Sequence, residues 1–201
     1  YHPMGGMYKV VEAVQLLAQE RGVVIKTNQD VTRIETAGRQ AVAVHTQDQR
    51  YPADLVVANA DYHYCETQLL DSTVQTHRQA YWDKAVVSPS AFLMYLGVKG
   101  KLPQLEHHNL YFGANWDEHF AAVYQDRQWP RDPSYYVHCP SRTDHSLAPA
   151  DGETVIVLVP VAAGLADTPE IRRRFRQQIL RHLSSLIGEE IEPRLAAEQL
   201  F

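Results

Sequence analysis

Cysteine is scarce in this 201-residue chain, which carries two, Cys65 and Cys139. They are too few for a disulfide framework and lack C-x-x-C spacing, so a reducing cytoplasm is the expected setting. No apolar run approaches the roughly 20 residues that cross a bilayer, and no secretory leader opens the chain. Basic charge is short as well: 19 Lys and Arg against 24 Asp and Glu leave a net charge of −5. That balance offers no electrostatic footprint for nucleic acid. Arg172-Arg173-Arg174, the one basic run, falls in a helical stretch and reads as a solvated face. There is no G-x-G-x-x-G, no P-loop lysine and no H-E-x-x-H, and no repeat or low-complexity tract. The chain starts at Tyr1 without an initiator methionine and stops at Phe201 without a terminus signal, and we expect a piece of a longer polypeptide.

What is present is an ordinary globular composition, 45% hydrophobic and 21% charged, enough for one large domain or two small ones. Residues 1–50 have βαβ character. The glycine turn Met4-Gly5-Gly6-Met7 leads into a helix over 8–21, with Val10, Val11, Val14, Leu17 and Ala18 at helical spacing and Gly22 as its stop. Strands are expected at Val23-Val24-Ile25, over 31–36 and over 41–46, with Ala37-Gly38-Arg39 as a hairpin turn. The run Leu55-Val56-Val57-Ala58 predicts a buried strand ending in Asn59-Ala60-Asp61. Residues 62–85 read as mostly helical, up to the break at Ser88-Pro89-Ser90. Four strands follow, over 91–98, 109–112, 135–138 and 154–161, with a helix near 116–125. Pro169 opens a last helix whose stripe is Phe175, Ile179, Leu183 and Leu186. The fold class expected is α+β, dividing near residue 61 into a small first segment and an antiparallel or mixed sheet flanked by helices.

Few residues announce chemistry. His107 and His108 are adjacent, so on a strand they point to opposite faces and cannot share a metal from one side. His63 with Cys65, and His138 with Cys139, lack zinc-site spacing, and no metal site is expected. Nothing marks a thiolate-stabilising environment around Cys139. Asp61, Asp144, Asp151 and Asp167 sit where turn chemistry alone accounts for aspartate, so no catalytic residue is assigned. One feature does better. A strand ending in a small residue such as Ala60 lets the main chain approach a flat ring or a pyrophosphate at a strand's carboxyl end, where ligands sit in doubly wound folds.

The stretch HPMGGMYKVVEAVQLLAQERGVVIKTNQDVTRIE, followed by ADLVVANAD, resembles the mid-chain region of the FAD-dependent phytoene desaturases and carotenoid isomerases. The likeness continues through SPSAFLMYLGVKGKLPQLEHHNLYF and YYVHCPSRTDHSLAPADGETVIVLVPV, and so covers nearly the whole chain. It implies a two-domain flavoprotein of the amine-oxidase-like superfamily. Residues 1–61 would be the middle segment of the FAD domain and residues 62–201 the substrate domain. The resemblance also implies that the Val31 backbone meets the adenine, that Asn59, Ala60 and Asp61 lie near the dinucleotide, and that Gly5 and Gly6 let the chain pass close to the flavin or substrate channel.

The activity so implied is dehydrogenation of a carotenoid polyene such as phytoene, by hydride transfer to flavin. A polyene isomerase using reduced flavin, and a polyene- or lipid-binding domain without redox chemistry, are the alternatives. The family's amino-terminal dinucleotide-binding unit and its carboxyl-terminal glycine-rich segment are absent from these residues. We therefore expect these residues alone to be inactive and to bind FAD weakly or not at all. The partners expected are a hydrophobic polyene and, peripherally, a membrane surface, to which Leu110-Tyr111-Phe112, Trp116 and Phe120 would contribute unless they are core, the reading favoured here.

Overall fold

The computed structural model describes residues 2–113 and 115–201. The chain is of mixed α+β class and forms two compact units, one made of residues 18–86 and the other of the residues up to Leu17 together with 87–201. The division expected at residue 61 falls inside the first of these.

Helix α1 (Tyr8–Glu20) runs from the glycine turn, and its last residues enter the 18–86 unit. That unit is built on a three-stranded antiparallel meander, β1 (Val31–Ala37), β2 (Gln40–Thr46) and β3 (Arg50–Pro52). Gly38, at φ 63°, takes the first position of the two-residue β1–β2 turn, where a side chain would be strained. Arg50 and His45 both bond Glu35 across the sheet, each at 2.7 Å, and hold its carboxyl down at about 2. Ile34 packs beneath, on Cys65 and Leu69.

The βαβ reading of residues 1–50 does not hold, because the strands form an antiparallel meander with no parallel pair among the described residues. Val23-Val24-Ile25 and Leu55–Ala58 are unpaired, and Val24, Leu55 and Val57 are 77%, 79% and 83% exposed. A run of β-branched residues becomes a strand only when a neighbouring edge takes up its amides and carbonyls, and no described strand lies beside either run. The apolar stripe of α1 is likewise exposed. Residues 62–85 are not one helix. A short helix α2 (Tyr62–Tyr64) passes into a π-turn over Cys65–Leu69, and Asp71 then stops it by accepting from the amide and hydroxyl of Thr73. Helix α3 (Gln79–Trp82) is a single turn.

The second unit rests on a five-stranded antiparallel sheet. Its strands are β4 (Ser90–Lys99), β5 (His108–Tyr111), β6 (Tyr135–His138), β7 (Gly152–Val161) and β8 (Leu195–Leu200), in the order β5-β6-β7-β4-β8. Phe92, Met94, Leu96 and Val98 alternate onto one face of β4, opposite Val159, Val157, Val155 and Glu153 of β7. Between β5 and β6, helix α4 (Trp116–Phe120) continues into a π-turn over Ala121–Gln125. Helix α5 (Pro169–Ile187) covers the sheet. Thr168 caps it by accepting from the Ile171 amide, and Gly188, in the left-handed region at φ 69°, ends it.

Phe175, Ile179 and Leu183 are buried against the sheet as expected, but Leu186 is 52% exposed and Leu180 and Ile187 are buried instead. Strand β8 was not foreseen, since Ala-Ala-Glu-Gln shows no alternation. It is an edge, placed by its pairing with β4 and by Arg176, which reaches from α5 to Glu198. Ile179→Ala should cost about 2–5 kcal/mol and Leu186→Ala within about 0.5 kcal/mol. Urea-unfolding midpoints of the two variants check this, and equal losses would contradict the observed helix face.

Candidate functional site

Within the 18–86 unit, Val31 and Ala60 line one open concavity of about 540 Å³, with Asp30, Thr32, Gln47 and Tyr64 among the other walls. The start of β1 supplies one side. The extended stretch after Leu55 supplies the other, with the Ala60 methyl leaving the main chain open to approach. Asn59 is exposed beside it. Asp61 has work of its own: its carboxylate accepts from the Tyr64 amide at 2.8 Å and caps α2.

Gly5 and Gly6 lie in the other unit. Both have positive φ, 87° and 89°, and Gly6 sits so close to Leu147 that an added Cβ would stand 3.1 Å from that side chain. The Gly5 amide donates to Asp144 Oδ2 at 2.5 Å. Asp144 is 1% exposed and also accepts from the Ser146 amide and hydroxyl. The Ser146 hydroxyl and then the Gly5 amide hold its carboxyl below the ordinary 3.8. Gly5 is thus matched to a carboxylate of the chain itself.

The second concavity, about 240 Å³, is apolar. Phe112, Trp116, Phe120 and Tyr124 stack in sequence along its rim, with ring centroids 4.9, 5.6 and 5.7 Å apart. Spacing along α4 and the turn after it brings these rings into register. The preference for core holds for Tyr111, which packs on the core cluster, and is corrected for Leu110, Phe112, Trp116 and Phe120, which are 44–65% exposed, as is Tyr124. His119 lines the same hollow, and burial lowers its pKa.

The histidines depart furthest from expectation. His107, His108 and His138 each present a ligand atom, and the three atoms lie within 4.8 Å of one another. Strand alternation does not separate His107 from His108, because β5 begins only at His108. His107 sits in a bend, its carbonyl accepting from the Cys139 amide at 2.9 Å. His108 and His138 are directly opposed in the β5–β6 ladder and so share a face. Burial brings His138 down to about 4. Cys139 is fully buried and burial raises its thiol, an environment of an inert cysteine. Among the remaining aspartates, Asp167 pairs with Arg172 at 2.5 Å.

The sequence profile of the flavin-containing amine oxidoreductases matches residues 3–199. The chain belongs to this family. It is 39% identical over 203 residues to a carotenoid 3,4-desaturase of Haloarcula japonica, covering 100% of this chain and 41% of that one. It is 36% identical over 182 residues to a zeta-carotene-forming phytoene desaturase of Myxococcus xanthus, covering 87% of this chain and 35% of the relative. A phytoene desaturase of Neurospora crassa is 31% identical over 214 residues, 98% of this chain and 36% of its own. In structure, the chain superposes on an oxidoreductase from Methanosarcina mazei with a TM-score of 0.63 at 16% identity, over 99% of this chain and 43% of that one. The chain therefore spans about two fifths of the relatives it matches.

For an amine oxidoreductase of this family the cofactor is a flavin, and FAD can be tried against the residues present. The concavity of Val31 and Ala60 encloses about 540 Å³, with Ala60 as its one alanine and Asp30 as its one charged residue. The residues lining it include no lysine or arginine. That lining gives a pyrophosphate no cationic side chain.

Because the carboxyl of Asp144 is held below its ordinary value, its stabilising bonds are complete above about pH 4 and are lost as pH falls through the depressed value. Asp144→Asn should melt below the wild type at pH 7. The gap should narrow steadily under acid, as thermal melts from pH 7 to 2.5 would record. A gap that stays constant with pH would remove Asp144 from this account.

Proposed function

We propose that this chain forms part of an FAD-dependent carotenoid dehydrogenase, to which it contributes a wall of the adenine site and an apolar bed for the polyene. What carries the reading is the match along the entire chain to a carotenoid 3,4-desaturase at 39% identity. The exposed aromatic ladder supports it. The division of labour follows the resemblance, with the first 61 residues serving the dinucleotide and the rest the substrate. Val31 and Ala60 would meet the adenine, with Asn59 beside them. Asp61, capping α2 with its own carboxylate, would hold the Ala60 edge in place, and Gly5 keeps its amide on Asp144. Gly6 keeps the turn before α1 close to Leu147.

Dehydrogenating a C–C bond flanked by double bonds removes a hydride and a proton, and no side chain accepts two electrons. Bound FAD supplies that acceptor. The protein's own part is shape and dryness. Stacked rings of Phe112, Trp116, Phe120 and Tyr124 offer a conjugated chain a row of π faces, and Leu110 and Val123 continue the apolar lining. Positive charge developing on the substrate is allylic and delocalised, so a wall of aromatic faces suits it without a strong base nearby. The same rings are exposed and can take a polyene from a lipid surface, with the protein lying on the membrane rather than through it. No described helix is long and apolar enough to cross one.

The test is to give the full-length protein, anaerobically and with an electron acceptor, a colourless polyene. The expected product has lengthened conjugation and two hydrogens fewer for each bond formed. A product with the hydrogen count unchanged would make the protein an isomerase, and unaltered bound polyene would make it a carrier. Trp116→Ala with Phe120→Ala should lower turnover at least about five-fold at subsaturating substrate, from lost stacking of about 1 kcal/mol. The flavin absorbance per protein should not change. The 201 residues alone should show no tight stoichiometric complex in a fluorescence titration with FAD.

A further inference from the structure

The geometry points to a divalent transition-metal site of three imidazoles, His107, His108 and His138, at the β5 edge of the sheet, a site independent of the flavin reading. The three ligand atoms lie within 4.8 Å of one another, and the Nε2 atoms of His107 and His138 are 2.9 Å apart. Around zinc, with Zn–N bonds of about 2.0–2.1 Å, tetrahedral neighbours stand about 3.3 Å apart. A small opening of the one pair and a closing of the third ring toward it reach that figure.

A second observation supports this independently. Metal-bound histidines characteristically use the other ring nitrogen to bond an orienting group. Here the His107 Nδ1 is 2.6 Å from the Thr143 hydroxyl and the His108 Nδ1 is 2.6 Å from the Tyr136 hydroxyl. In both residues Nδ1 is committed and Nε2 remains for a ligand. His2 packs edge-on against His107, with centroids 5.0 Å apart. Its Nε2 is buried without a hydrogen bond, 3.9 Å from Asp144, so a carboxylate stands near the cluster as well.

Imidazole donors select zinc, cobalt, nickel or copper over magnesium and calcium, which take oxygen ligands. His108 is exposed, which leaves the remaining coordination position to water. The ion would pin the first residue of β5 to the last of β6. Strand β5 runs on into Leu110, Tyr111 and Phe112 of the aromatic hollow. Its role would be a clamp on the strand that carries that wall.

The experiment uses untagged protein stripped with chelator and titrated with Co²⁺, followed by displacement with Zn²⁺. One equivalent should bind with a visible cobalt spectrum, zinc should abolish it, and zinc should raise the melting temperature. His138→Gln and His108→Gln should each weaken binding at least 30-fold, and Thr143→Val about 10-fold. His63→Gln, in the other unit, should leave it unchanged. Circular dichroism checks that each variant folds. If the histidine variants do not fold, Thr143→Val and Tyr136→Phe decide on the same scale. Absence of stoichiometric binding, or equal loss from His63→Gln, would overturn the site. So would affinity unchanged in the folded cluster variants.

Discussion

The ten-residue antiparallel pairing of β4 with β7, closed on one face by α5, is the interaction on which the larger unit depends. Every residue from Ser90 to Lys99 has a partner between Gly152 and Val161. Both strands place alternate apolar side chains under Phe175, Ile179 and Leu183. Burying those rows is the main favourable term, and the ladder satisfies the backbone that burial would otherwise strand. Strand β6 adds to the free edge of β7 and β5 adds to β6, so everything with chemical interest in this unit hangs from that pair. The aromatic hollow opens after β5, and the three histidines gather where β5 begins and β6 ends.

The smaller unit obeys the same rule from the opposite side. Its meander is stable where strands have partners, and it is stitched across by the Arg50–Glu35–His45 bonds. Where no partner strand is present, apolar sequence stays extended and wet, as at Val23-Val24-Ile25 and Leu55–Ala58. These are the runs expected of strands in a parallel sheet, which read as continuous apolar stretches because both faces are covered. Their exposure fits a chain that spans about two fifths of its relatives. The concavity lined by Val31 and Ala60 has no lysine or arginine in its walls.

Aspartate illustrates how position decides role. Asp61 caps a helix, Asp144 gathers a glycine amide and a serine turn, and Asp167 anchors Arg172. Each is accounted for by turn or helix-end chemistry, which is why spacing alone gave no reason to assign a base. For the dehydrogenation proposed above, an acceptor and a dry bed matter more than a strong base, and the aromatic ladder would be that bed.

Local pattern alone was enough for α1, β1, β2, β4, β6, β7 and α5, because their periods, caps and glycine stops are short-range signals that tertiary context did not override. The family could be read from the motifs, which run along nearly the whole chain. Pairing partners could not be read from the sequence. Strand β8 exists because β4 had an open edge, and the two apolar runs are not strands because no described strand offers them an edge. The histidine cluster was likewise invisible, since strand alternation separates His107 from His108 on paper and only the bend before β5, with His138 opposite, turns the rings together. Hydrogen-bond partners far apart in the chain are chosen by the folded backbone, and that choice belongs to the tertiary structure.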